Sequence, residues 1–121
     1  MKTVILDRLS LGEDTPIERL YSFSEVVSYD KTEPDLVKER IKGADVVIIN
    51  KVKMTRAILE KAEGLKLICL FATGYDNVDI EAAREYGIAV CNVPGYSTDS
   101  VALLTVSSTL ALYCSLQVTW C

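Results

Sequence analysis

Short apolar runs alternate with amphipathic runs along the first hundred residues of this 121-residue chain. Residues 3–7, 25–29, 45–50, 65–71 and 88–93 read as five strands. Several are nearly continuous Val/Ile/Leu stretches, the pattern of parallel strands covered on both faces. Residues 32–35, Thr-Glu-Pro-Asp, read as the start of a helix that carries Leu36, Val37, Arg40 and Ile41 on one stripe and stops at Gly43. Thr55 can cap a second helix, with Ile58, Leu59 and Ala62 facing inward and Gly64 ending it. Asp79 can cap a third over residues 80–86, closed by Gly87, and residues 16–20 are a weaker helical segment. This alternation predicts an α/β fold, an open, mostly parallel sheet with helices on both faces. Ligands of such sheets sit beyond the carboxyl ends of the strands, where Asp7, Asn50 and Thr73-Gly74 fall.

The tail breaks the pattern. No charged residue follows Asp99. Residues 100–121 read as a long uncharged C-terminal helix, set apart from a domain over 1–99. Ser100, Thr105, Ser107, Ser108, Thr109, Ser115, Gln117 and Thr119 dilute its apolar content, and no basic flank orients it, so no membrane partner is expected. An uncharged helix of this length is expected to be covered by another domain or subunit.

Half the residues are hydrophobic and a quarter charged, the composition of a globular domain large enough to bury a core. A net charge of −4, a pI of about 4.8 and the absence of a Lys/Arg cluster in the sequence argue against nucleic acid. The N-terminus lacks a secretory pattern. The four cysteines include no Cys-x-x-Cys, and there is no histidine, so no zinc site is expected. Cys69 and Cys91 lie in strand-like runs and read as buried small hydrophobes of a cytoplasmic protein.

The chemistry the residues can support is narrow. The glycines never reach the Gly-x-Gly-x-x-Gly spacing of a dinucleotide loop, and there is no Gly-Lys-Ser/Thr phosphate loop. A phospho-receiver needs an acceptor Asp after the third strand, where Asn50 stands. His-based acid/base catalysis is excluded. What remains is recognition. The fourth apolar run stops at Thr73-Gly74 and a helix reopens after it, which leaves backbone N–H groups suited to a carboxylate. Lys51, after the adjacent strand, could grip the same anion; on chemistry alone the plainer reading is favoured, with Gly74 a simple turn residue and Lys51 a solvated charge.

Ala72-Thr73-Gly74-Tyr75-Asp76-Asn77-Val78-Asp79, then Ala82-Ala83-Arg84, Gly87-Ile88, Asn92-Val93-Pro94-Gly95-Tyr96-Ser97-Thr98 and Ser100-Val101-Ala102, resemble in order the D-isomer-specific 2-hydroxyacid dehydrogenases. Asn50-Lys51 is most similar to their glycerate dehydrogenase (hydroxypyruvate reductase) branch. The resemblance covers about residues 1–102 and implies a flavodoxin-like substrate-binding domain over 1–99. It implies that Thr73 and Gly74 bind the substrate carboxylate through backbone N–H groups, that Asn50 and Lys51 line the pocket, that Tyr75 and Tyr96 lie nearby, and that Asp76 and Asn77 fix the loop. The segment after Pro94 would lead into an interdomain linker helix that contributes to a homodimer.

The same resemblance implies absences. The coenzyme domain with its glycine loop is missing, as are the Arg, Glu and His that act on the substrate. No catalytic, cofactor-binding or metal residue is therefore assigned, and NAD(H) is implied only for the full-length family. After Ala102 the expected pattern fades into an atypical tail, as in a chain stopped early. The expectation is the substrate-carboxylate half of a glycerate-type enzyme, recognising a small 2-hydroxy or 2-keto acid and inactive alone. The rival is a non-catalytic module that self-associates through its tail.

Overall fold

The computed structural model describes residues 1–113. Five strands, β1 (Lys2–Ile5), β2 (Glu25–Ser28), β3 (Val46–Ile49), β4 (Leu67–Leu70) and β5 (Ala89–Cys91), form one parallel sheet in the order β2-β1-β3-β4-β5. Two 3-10 turns, Arg8–Leu11 and Glu18–Ser22, join β1 to β2. Helices α1 (Val37–Arg40), α2 (Arg56–Leu59) and α3 (Ile80–Glu85) join the later strands, and α4 (Thr98–Tyr113) follows β5.

The expected α/β, flavodoxin-like architecture is therefore present, and handedness explains its layers. From β2 onward every connection steps the same way across the sheet, so right-handed crossovers carry α1, α2 and α3 to one face. The β1–β2 connection steps the other way, which takes its two 3-10 turns to the opposite face. Strand alternation then sorts the side chains. Val4, Leu6, Val47, Ile49, Ile68 and Leu70 pack with Val37, Ile41, Ile58, Leu59, Ala82 and Ala83 into a single core. Burying each such aliphatic side chain stabilises the fold by roughly 1.5–3 kcal/mol.

The opposite face is covered unevenly. Ile5 and Ile48 are buried, Cys69 is half-buried and Cys91 is exposed. The expectation that both cysteines are buried thus fails at Cys91 and is met only in part at Cys69. Cys91 sits on the edge strand, on the face that α1–α3 do not cover. Burial, with a smaller contribution from neighbouring Cys91, pushes the Cys69 thiol up, away from a reactive thiolate.

Helix ends differ from the sequence expectation in detail. Gly87 takes positive φ directly after the Tyr86 C-cap of α3, as a terminator should, whereas Gly43 and Gly64, also at positive φ, lie three and five residues past the ends of α1 and α2, in the turns that follow them. Asp79 caps α3, its carboxylate accepting from Ala82 N–H at 2.8 Å. Thr55 precedes α2 without a side-chain cap bond. Thr32 does not cap α1, which begins later; its buried hydroxyl donates to the Leu6 carbonyl at 2.6 Å, and Arg40 donates to that hydroxyl at 2.7 Å. Thr32 therefore ties the β2 exit to β1. In α4, Val101, Leu103, Leu104, Val106, Leu110, Leu112 and Tyr113 are all exposed. Among the described residues, no helix is long and apolar enough to cross a membrane. The tail expected over 114–121 lies outside the described residues.

Candidate functional site

The candidate residues sit where strands end and loops begin. Ile5 completes β1, and the chain reaches Asp7, whose buried carboxylate faces the start of the β3–α2 loop. It accepts from Asn50 N–H at 2.9 and 3.0 Å and from Lys51 N–H at 2.7 Å. Those two amides are spent inside the fold. Only the side chains of Asn50 and Lys51 remain for a ligand, and Lys51 is exposed.

The β4–α3 loop is tied on both sides. Asn77 Nδ2 donates to the carbonyls of Asn50 at 3.0 Å and Val52 at 2.8 Å. The backbone adds a short parallel bridge between Met54 and Val78, with Met54 N–H donating to Asn77 at 2.8 Å and Asp79 N–H to Met54 at 3.0 Å. On the other side, Val93 N–H donates to Ala72 at 3.0 Å. Asn92 Nδ2 donates to the Thr73 carbonyl at 2.7 Å, and Thr73 Oγ1 donates to the Val93 carbonyl at 3.1 Å.

This bracing uses the carbonyls and side chains of the loop. Among the described residues, the N–H groups of Thr73 and Gly74 have no acceptor. Both residues are exposed. Two successive amides left open on a pinned loop can receive an anion without first breaking a bond. Gly74 does not take a positive φ; a Cβ there would lie 3.3 Å from Asp76 Oδ1. Its lack of a side chain keeps the approach to the loop clear.

The six sequence-assigned residues are only partly brought together. Asn50 and Lys51 are joined to the Thr73-Gly74 loop through Asn77, and that loop to the segment before Tyr96 through Asn92. Lys51 lines a groove of about 740 Å³ beside β1 and β3, whereas Tyr75 lines a smaller one of about 370 Å³ with Ile80, Arg84 and Asn92. Thr73, Gly74 and Tyr96 line neither. Tyr75 and Tyr96 are 53% and 64% exposed. The Thr73-Gly74 loop forms an open rim rather than a closed pocket.

Sequence reasoning assigned loop fixing to Asn77, and the bonds above bear that out. It missed Asn92 and the buried anchor role of Asp7. The available signal was a polar residue directly at a strand's end, where a side-chain amide or carboxylate can satisfy the backbone of the next loop. Among the described residues no group of acidic, His or Cys side chains could hold a metal ion, and every buried side-chain nitrogen and oxygen has a partner.

Residues 3–116 match the family described as D-isomer specific 2-hydroxyacid dehydrogenase, catalytic domain. A hydroxypyruvate reductase of Blautia hydrogenotrophica is 36% identical over 116 residues, 93% of this chain and 36% of that protein. A glycerate dehydrogenase of Methylorubrum extorquens is 38% identical over 112 residues, 92% of this chain and 35% of that protein. Among solved structures, an NAD+-bound 3-phosphoglycerate dehydrogenase of Entamoeba histolytica superposes with a TM-score of 0.73 at 30% identity, covering 92% of this chain and 38% of that one. The chain spans about a third of the length of the curated relatives it matches.

Proposed function

Because this chain belongs to the D-isomer specific 2-hydroxyacid dehydrogenase family, we propose that it supplies the substrate-side half of a glycerate/hydroxypyruvate-type enzyme. The observation that carries this reading is the pair of acceptor-free N–H groups at Thr73 and Gly74 on a loop braced by Asn77 and Asn92. The substrate carboxylate receives those two N–H groups, and the Lys51 ammonium adds charge from the neighbouring loop. The names of the hydroxypyruvate reductase and glycerate dehydrogenase relatives favour a small 2-hydroxy or 2-keto acid.

The residues described do not suit NAD(H). A dinucleotide needs a glycine-rich turn running from a strand into a helix N-terminus. Here β1 runs instead into Asp7 and a 3-10 turn, and the other strand exits carry no such turn. The contribution of this chain is binding and orientation of the acid; hydride transfer requires a coenzyme-binding lobe of the kind the family possesses.

Titration of the isotope-labelled chain with D-glycerate and with hydroxypyruvate tests the reading. Saturable amide shifts at Thr73 and Gly74 are expected, with no NADH oxidation by the chain alone. Unmoved amides at both positions would sink the carboxylate site, and steady NADH turnover would sink the division of labour.

A second reading rests on α4. Its apolar residues are exposed all round, which favours self-association, as a homodimer in a cytoplasmic setting. A mass that stays monomeric across concentrations would remove it.

A further inference from the structure

We propose that the groove between the exits of β1 and β3 is a second ligand site, one that takes a small organic anion with an apolar body. The position follows from topology. The order β2-β1-β3-β4-β5 reverses its winding at β1, since β2 and β3 flank β1 on opposite sides. The two connections leave the sheet on opposite faces there, and a crevice opens between them, the place where open α/β sheets hold ligands. The Thr73-Gly74 loop lies after β4, away from that point. The groove is therefore centred on a different strand end; it shares only Lys51 with the carboxylate reading, and its argument stands on Lys38, Lys53 and the apolar lining.

The lining specifies the chemistry. Its volume of about 740 Å³ falls within the roughly 300–1,000 Å³ of small-molecule pockets. Leu9, Pro34 and Val52 contribute apolar surface over the buried Val37 and Ile58, and four lysines, Lys31, Lys38, Lys51 and Lys53, stand around it. They come from three separate segments, which is why no basic cluster appears in the sequence. Lys31 is neutralised by Glu33 at 2.8 Å. Among the described residues, the ammonium groups of Lys38, Lys51 and Lys53 have no carboxylate partner. Of the two carboxylates in the lining, Asp7 is saturated by backbone N–H groups, which leaves Asp30 as the free opposing charge. Apolar walls under an excess of ammonium groups suit a ligand with a flat or aliphatic body and an anionic end. A bare inorganic anion leaves the apolar walls in water, and a neutral apolar molecule leaves the lysines unanswered.

The test uses 8-anilinonaphthalene-1-sulfonate against its neutral analogue N-phenyl-1-naphthylamine and inorganic phosphate, each titrated into the isotope-labelled full chain. Saturable shifts from the sulfonate are expected at Val52, Lys53 and Val37. Binding of the neutral analogue and of phosphate is expected to be weaker by about tenfold or more. The double variant Lys38→Glu/Lys53→Glu should weaken the sulfonate about tenfold while leaving the neutral analogue unchanged. Ala57→Phe, which fills the groove from an exposed helical position, should exclude both. Sulfonate shifts confined to α4 or to the Tyr75 pocket would overturn the proposal. So would equal affinity for the neutral analogue, or indifference of folded variants to both changes.

Discussion

Lys51 N–H donates to the Asp7 carboxylate at 2.7 Å across 44 residues of sequence. With the two contacts from Asn50, this bond anchors the β3–α2 loop to the end of β1. Asp7→Asn keeps the shape but turns one acceptor oxygen into a donor facing those N–H groups. A loss of about 1–3 kcal/mol in urea unfolding is expected. A change below about 0.5 kcal/mol, the range of ordinary surface substitutions, would show that the anchor is dispensable.

Asn77 links the two loops that carry the candidate site. Asn77→Ala strands the Asn50 and Val52 carbonyls and should lower stability by about 1–3 kcal/mol. It should also broaden the amide resonances of Thr73 and Gly74, because the loop loses one of its braces. Sharp, unshifted signals from a destabilised protein would separate the fold role from the site role.

Gly74→Ala probes the site with little demand on the fold. The backbone there suits any residue, and the added methyl meets only Asp76 Oδ1, at 3.3 Å. The melting temperature should move by a few degrees at most, while affinity for D-glycerate falls about tenfold, or 1.4 kcal/mol. Unchanged affinity in isothermal titration would place the carboxylate elsewhere.

Asp45 makes stability depend on acid. Its carboxyl is held below the ordinary carboxylate range first by the Lys66 ammonium, at 2.8 Å, then by the Lys2 backbone N–H, also at 2.8 Å. A depressed folded-state pKa gives a contribution present above the unfolded value of about 4 and lost as pH falls through the folded value. Melting temperature should therefore drop on acidification below about pH 4, and Asp45→Asn should flatten that limb. An unaltered acid limb in the variant would assign it to other carboxylates, of which Glu33, paired with Lys31, and Glu85, paired with Arg56, are depressed in the same direction.

Leu103 and Leu110 are 69% and 57% exposed on α4. If the helix mediates association, Leu103→Glu/Leu110→Glu should convert the dimer to monomer by light scattering without altering the melt of the monomer. Persistence of the dimer would move the interface off α4.

The apolar runs were long enough, and rich enough in β-branched residues, to identify all five strands, although only β1, β3 and β4 are flanked on both sides and the edge strands β2 and β5 are only partly buried. Gly87 marked the end of α3 because positive φ there disfavours other residues, while Gly43 and Gly64 marked the turns beyond helices that stop earlier. Thr32 misled: a Thr two residues before Pro resembles a cap, but its hydroxyl is drawn to the Leu6 carbonyl on a neighbouring strand. Cys91 misled because a strand's composition does not reveal which strand is the edge.

The sequence by itself determined the layered α/β class, both ends of α3 and the Thr73-Gly74 loop, since these follow from local periodicity, backbone preference and a run of motif residues. Only the tertiary structure decided which amides stay open. Asp7 consumes those of Asn50 and Lys51, while Asn77 and Asn92 pin the next loop through its carbonyls and through carbonyls of its neighbours. It also gathered Lys31, Lys38, Lys51 and Lys53 from three segments around one groove. Hydrogen-bond partners and charge clusters are set by which strand ends the crossovers bring side by side, and that adjacency is written in no single stretch of chain.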